Sequence, residues 1–235
     1  MKILCLTPIK HLYGMYEHLE KYGEVYYSPD LKEKDFVYID MDEYDVIFCN
    51  PNKQTYILNE KTLQSFKGII LTASTGLNHI DLDYCSEKGI KVLSHKGDMK
   101  LINQLPSTAE LAFGLMLSIL RNIPSSFNDV INGGWDYDKF MGHQLKGKNV
   151  GIIGHGRLGK MMNNYCMSFG MRTHLYDPYE GFNDLDSLIK NSDIISLHVH
   201  VTDKTRYMIN KKVLGKMKKD SYIINTSRGE IVNEK

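Results

Sequence analysis

Apolar residues in this chain fall in short runs separated by segments whose apolar positions recur at helical spacing. Over the first hundred residues, the runs at 2–7, 24–27, 45–49, 68–73 and 91–94 read as strands, and the patterns at 11–22, 59–66 and 82–88 as amphipathic helices. Short apolar strands joined through helices predict crossover units and a parallel sheet covered on both faces. A polar stretch at 94–104, carrying Gly97 and ending at Leu105-Pro106, interrupts the rhythm and reads as a crossing between domains. Ser107-Thr108-Ala109-Glu110 then has the form of a capping box. The helix it opens, through about Arg121, is apolar on most of its surface (Leu111, Phe113, Leu115, Met116, Leu117, Ile119, Leu120). Such a helix needs cover on every side, from both domains or from a second subunit.

After Trp135 the alternation resumes, with strands at 149–153, 172–176, 194–199 and 222–225 and helices at 158–169, 185–190 and 211–217. The expected architecture is α/β, with two Rossmann-like domains built on parallel sheets, at 1–100 and 101–235. The doubly wound dinucleotide fold usually has about six strands. The second domain shows four, and residues 230–235 read as the start of another helix, so that domain is expected to be incomplete at its C-terminus.

Composition narrows the function classes. A formal net charge of +1 is too balanced for a nucleic-acid or anionic-membrane surface, and the run Lys211, Lys212, Lys216, Lys218, Lys219 reads as a solvated helix face. The four cysteines are scattered without a CxxC pair, which points to a reducing compartment and away from disulfides or zinc. The apolar run at the N-terminus is too short for a signal peptide, and that at 109–120 is too short to span a bilayer, so the cytoplasm is the expected location.

The chemistry-bearing pattern begins at 149, where an apolar strand runs into Gly154-His155-Gly156-Arg157-Leu158-Gly159 and then a helix. In that context Gly154 permits a tight turn, Gly156 lets the backbone approach a pyrophosphate, and Gly159 lets the helix lie against the strand. The amides of Arg157 and Leu158 face the diphosphate from a helix N-terminus. Asp177 closes the next strand at the offset where an acid accepts the ribose hydroxyls, and no Arg or Lys follows it immediately to neutralise a 2′-phosphate. The cofactor expected is therefore NAD rather than NADP.

Several further blocks carry a resemblance: Ser74-Thr75-Gly76-Leu77-Asn78-His79-Ile80-Asp81, Ala109-Glu110, Leu145-Lys146-Gly147-Lys148, Asp177-Pro178, Ser196-Leu197-His198-Val199 and Ile224-Asn225-Thr226-Ser227-Arg228-Gly229. In this order they resemble the D-isomer-specific 2-hydroxyacid dehydrogenases, the family of D-3-phosphoglycerate and D-lactate dehydrogenases. The resemblance implies hydride transfer between nicotinamide and C2 of a small 2-hydroxy or 2-oxo acid, in a cleft between the two domains. It gives the loop Thr75, Gly76, Leu77, Asn78 the substrate carboxylate, with Thr75 also near the cofactor. His198 and Val199 are assigned to the adenosine half, Thr226 and Ser227 to the nicotinamide side, and Arg228 to catalysis. A fixed guanidinium fork can hold a carboxylate and polarise its neighbouring carbonyl.

Three departures qualify the resemblance. The family's acid/base histidine and supporting glutamate lie beyond its arginine, so residues 1–235 are expected to lack both and to show no turnover alone. The segment between Asp177 and Asp193 is shorter than usual, and His200 stands where the family has proline. Two alternatives stay open: a related dehydrogenase such as one for formate, and an NAD-binding sensor of the corepressor kind. The resemblance also implies a homodimer through the helix at 108–121.

Overall fold

The apolar runs become nine strands in a computed structural model that describes residues 1–51 and 56–235. They are β1 (Lys2–Cys5), β2 (Glu24–Tyr27), β3 (Val46–Cys49), β4 (Ile69–Thr72), β5 (Lys91–Ser94), β6 (Asn149–Ile153), β7 (Arg172–Tyr176), β8 (Ile194–Leu197) and β9 (Tyr222–Asn225). Between them, among the described residues, lie helices α1 (Met15–Glu20), α2 (Glu60–Leu63), α3 (Leu82–Glu87), α4 (Met99–Ile102), α5 (Ser107–Leu120), α6 (Ile123–Ile131), α7 (Arg157–Ser168), α8 (Leu185–Asn191) and α9 (Lys211–Leu214). The chain divides into two units, Met1–Ile102 and Asn103–Lys235.

In the first unit the strands lie in the order β2-β1-β3-β4-β5, all parallel, with Ile3 beside Val46, Val46 beside Ile69, and Ile69 beside Lys91. Leu4, Ile47 and Ile70 from the strands pack with Phe36, Met41, Leu58 and Leu63 in one buried cluster. Truncating a filled side chain such as Phe36 to Ala would cost about 3–5 kcal/mol by transfer and cavity terms.

The second unit orders its strands β7-β6-β8-β9, again parallel. Successive side chains on a strand point to opposite faces. Ile152 and Ile194 accordingly join α5 and α7 through Ala112, Met116, Met162 and Cys166, while their neighbours Ile153 and Ile195 join Leu188, Ile189, Ile209 and Ile231 on the other face. Two covered faces are the reason these strands read as unbroken apolar runs. In each sheet the crossovers reverse direction once, between β1 and β3 and between β6 and β8. At such switch points the loops leaving the carboxyl ends part and leave a crevice.

Several local expectations fail for identifiable reasons. The stretch 94–104 is not wholly irregular: α4 forms inside it, with the Asp98 carboxylate accepting from the Leu101 amide at 3.0 Å. The capping box at Ser107 does not form, because Pro106 occupies the cap position and Ser107 is already helical. Helix α6 is not among the expected helices, and it carries Pro124, a residue that breaks a helix from within. Here it sits in the first turn, where its missing N–H costs nothing, after Asn122 turns the chain at φ 53°. The all-round cover expected for α5 is not met within the chain: Ala109, Ala112, Phe113, Met116 and Leu120 are buried, but Leu111, Leu115 and Ile119 are exposed. Of the lysine run, Lys216 bonds Asp186 at 2.6 Å and Lys218 bonds Asp193 at 2.7 Å, on an exposed surface. Among the described residues, no helix is long and apolar enough to cross a membrane.

The amino edge of the second sheet is fastened by one carboxylate. Asp193 accepts from the Asn149 amide at 2.7 Å, from the Asn149 side chain at 3.2 Å and from Lys218 at 2.7 Å, tying β6, β8 and the approach to β9. Burial opposes ionisation of Asp193, but these donors outweigh it and hold its carboxyl below the usual value. Asp193→Ala should lower unfolding free energy by about 2 kcal/mol, since hydrogen bonds to a charged acceptor are lost and the Asn149 amide is left unpaired. Chemical denaturation checks this, and an unchanged midpoint would show that water replaces the carboxylate.

Candidate functional site

The carboxyl end of β6 runs straight into the glycine loop. Gly154 turns the chain at φ 91°, and a Cβ there would lie 2.6 Å from the His198 carbonyl oxygen. A Cβ on Gly159 would fall 1.9 Å from the Gly154 carbonyl, so α7 can reach this close to the strand only with hydrogen at that position. Gly156 differs: a Cβ there would meet nothing within 4 Å, so its face of the turn is open. Helix α7 begins at Arg157 with no side-chain cap. Uncapped first amides at the positive end of a helix dipole are suited to an anion. The Arg157 guanidinium is turned aside to the Leu105 carbonyl at 2.7 Å, which leaves the amide as this residue's contribution to the loop. Leu158 follows, half-buried in the first turn.

Asp177, just past β7, is drawn onto the same loop. One carboxylate oxygen accepts from the His155 amide at 2.8 Å and the other from the Tyr179 amide at 3.0 Å. Each oxygen keeps a lone pair for a further donor. The short 177–193 segment is accommodated by a tight turn in which Asp177 and Phe182 exchange backbone bonds of 2.9 and 3.0 Å.

His198 and Val199 follow β8. The His198 backbone backs Gly154, and Val199 packs on the same turn. The imidazole Nε2 lies 2.9 Å from Ser196 Oγ, while Nδ1 is buried with no partner among the described residues. Burial pushes its pKa down to about 4, so the ring is neutral near pH 7 and holds no proton to donate as an imidazolium.

Past β9, Asn225 organises the next loop, a role the sequence reading missed. Its side-chain oxygen accepts from the Ser227 amide at 3.0 Å and hydroxyl at 2.8 Å, and its NH2 donates to the Arg228 carbonyl at 2.9 Å. An Asn followed two residues later by a polar residue at a strand end is the signal of an Asx turn. Within the loop the Thr226 hydroxyl is buried and has no partner among the described residues. Arg228 donates to the Ser227 carbonyl at 2.8 Å and pairs with no carboxylate among the described residues. The glycine loop, Asp177, His198, Val199, Thr226, Ser227 and Arg228 thus share the carboxyl edge of one sheet.

Thr75, Gly76, Leu77 and Asn78 belong to the other unit, in the loop after β4. None of the backbone amides of residues 74–78 donates a hydrogen bond among the described residues. Unpaired successive amides in a turn suit an anion. Among the described residues, no group of three His, Cys, Asp or Glu side chains could hold a metal, and all four thiols are buried.

The profile of the D-isomer specific 2-hydroxyacid dehydrogenase NAD-binding domain matches residues 113–235. The chain is 40% identical over 173 residues to a hydroxypyruvate reductase of Thermotoga maritima, covering 71% of this chain and 55% of that protein. It is 33% identical over 246 residues to a D-3-phosphoglycerate dehydrogenase of Methanocaldococcus jannaschii, covering 100% of this chain and 45% of that one. Among solved structures, an NAD-dependent formate dehydrogenase of Staphylococcus aureus in complex with NAD superposes with a TM-score of 0.82 at 30% identity, over 99% of this chain and 75% of the other. The chain spans about half the length of the curated relatives it matches. It belongs to the D-isomer-specific 2-hydroxyacid dehydrogenase family, and its second unit is an NAD-binding domain. The open face at Gly156, the uncapped helix and the orphaned Thr226 hydroxyl fit that cofactor.

The depressed pKa of His198 has a consequence for stability. As pH falls, the unfolded chain takes up this proton near the free value of 6.5, whereas the folded chain resists until about 4. The group's contribution is complete above that free value and is lost as pH falls through the window between the two, at a cost of about 3 kcal/mol. Thermal unfolding across this window should show the loss, and His198→Asn should flatten it. An equally steep profile in the variant would refute the assignment.

Proposed function

We propose that this protein serves an NAD-dependent oxidoreductase that moves a hydride between nicotinamide and C2 of a small D-2-hydroxy or 2-oxo acid. Bound NAD supplies the hydride donor or acceptor. The chain's own residues hold, orient and polarise. The amides of Gly156, Arg157 and Leu158, with room made by Gly154 and Gly159, take the diphosphate. The spare lone pairs of Asp177 take the adenosine ribose hydroxyls, and His198 and Val199 border that half. Thr226 and Ser227 serve the nicotinamide side. The first unit is the substrate-binding domain: amides of Thr75, Gly76, Leu77 and Asn78 take the carboxylate, with Thr75 also facing the cofactor. Arg228 draws electron density from the substrate carbonyl as hydride arrives, a charge-stabilising role that needs the rigid fork.

The observation that carries the substrate half is the unbroken run of unengaged amides in the 75–78 loop, in a chain whose relatives include reductases of hydroxypyruvate. A cytoplasmic location is the reading supported by the four cysteines being free and buried. A homodimer is supported by the uncovered apolar face of α5 and α6, where Leu111, Leu115, Ile119, Phe127 and Ile131 are exposed. Formate as the hydride donor is the second reading, favoured by the structural match to the staphylococcal enzyme.

Titration separates them. With NADH present, pyruvate, glyoxylate or hydroxypyruvate should bind, and Arg228→Ala should weaken binding roughly tenfold to a hundredfold, the range for a charged hydrogen bond. Binding of formate in the presence of NAD, but of none of the 2-oxo acids, would favour the second reading. In the same assay NADH should bind more tightly than NADPH, because a 2′-phosphate would meet the Asp177 carboxylate with no adjacent cation. Asp177→Ala should narrow that gap, and equal affinities in the unaltered protein would remove Asp177 from the site.

A further inference from the structure

The loop after β4 contains a one-way chain of hydrogen bonds. Ser74 Oγ lies 2.7 Å from the Gly76 carbonyl oxygen, which can only accept, so the single Ser74 proton is spent there. Thr72 Oγ1 lies 3.1 Å from Ser74 Oγ and must therefore be the donor of that pair. The Thr72 proton is then spent as well. His79 Nε2, 3.0 Å from Thr72 Oγ1, must in turn be the donor to it. The order is fixed from the buried end: His79 Nε2–H to Thr72, Thr72 to Ser74, Ser74 to the Gly76 carbonyl.

A trans peptide points its C=O and its N–H in opposite directions, and the chain has no cis bond among its described residues. Holding the Gly76 carbonyl toward Ser74 therefore turns the Leu77 N–H away from it. The next peptide is fixed likewise, because the Leu77 carbonyl accepts from the Ile80 amide at 3.0 Å, which turns the Asn78 N–H outward. His79 is 5% exposed and sits where the loop rejoins the fold, since its own carbonyl accepts from the Leu58 amide at 2.9 Å.

We propose that His79, as its Nε2–H tautomer, is a positioning residue for carboxylate recognition: through Thr72 and Ser74 it sets the direction of the Leu77 amide. This rests on the reading of residues 75–78 as the carboxylate loop. Side chains that never touch the substrate thereby preorganise the backbone donors that do.

The test has two independent readouts on the whole chain. Long-range proton–nitrogen NMR should find His79 protonated at Nε2, a result that does not depend on any ligand. Titration with oxamate, an unreactive pyruvate isostere, in the presence of NAD should shift the Leu77 and Asn78 amide resonances. His79→Phe and Ser74→Ala should each weaken oxamate about tenfold while leaving NAD affinity unchanged, and His79→Gln, which keeps a donor, should recover most of the loss. Should His79→Phe not fold, Ser74→Ala alone carries the binding arm. An Nδ1–H tautomer, or unaltered oxamate affinity in Ser74→Ala, overturns the positioning role and leaves the carboxylate loop standing. No oxamate binding by the unaltered protein overturns the loop reading, and this proposal with it.

Discussion

A parallel sheet buried on both faces constrains everything else in this chain. Every strand must enter from the same side, so every loop that closes a carboxyl end gathers at one edge, and each helix must return the full length of the sheet. Backbone groups satisfied inside the ladder become unpaired where the ladder stops. The Gly154–Leu158 turn, the Thr226–Arg228 turn and the Ser74–Asn78 loop all lie at such ends. The amino edge of the second sheet is by contrast tied down: Asp193 accepts from the Asn149 amide and from Lys218. One edge is fastened with charge and the other is left with unspent donors.

What could be read from sequence follows the same division. The period of side chains across a two-faced sheet is visible in residue type, so every strand from β1 to β9 was legible, and the glycine loop was legible because Gly154 and Gly159 have no room for a side chain while Gly156 keeps the spacing between them. Features that depend on a neighbour's backbone were not. Pro106 pre-empting the cap of α5 turns on an ordinary helical dihedral pair, and Asn122 restarts the chain as α6 from a left-handed conformation that Asn tolerates without dictating it. Asn225 and Ser74 act on carbonyls two or three residues away, a distance at which residue type alone does not specify a bond. The link from His79 to Thr72 was not legible either, because Thr72 lies across the loop at the end of the preceding strand.

The two groups of anion-ready amides use one physical device. A neutral N–H costs little to leave exposed, cannot be deprotonated and carries no charge to be desolvated when a ligand arrives. What it lacks is strength, so several must point the same way and be held there before binding. In the glycine loop that rigidity comes from steric closeness, the 1.9 Å that a Gly159 side chain would have to Gly154. In the 74–78 loop it comes from hydroxyl protons committed in sequence.

Arg228 is the exception, and the exception is informative. Asn225 spends its whole amide on holding this turn, yet among the described residues no carboxylate pairs with the guanidinium itself. Leaving a half-buried cation without an ion pair forgoes stabilisation that the fold takes up readily at Lys216 and Lys218. A permanent charge is needed where charge develops during reaction rather than where it merely binds, because only there does its field lower the barrier more than it tightens the ground state. Amides suffice for a diphosphate or a carboxylate whose charge is constant. In the proposed reaction the carbonyl oxygen of a 2-oxo acid would gain negative charge only as hydride arrives, and that difference is the ground for giving Arg228 a part that the neutral amides could not play.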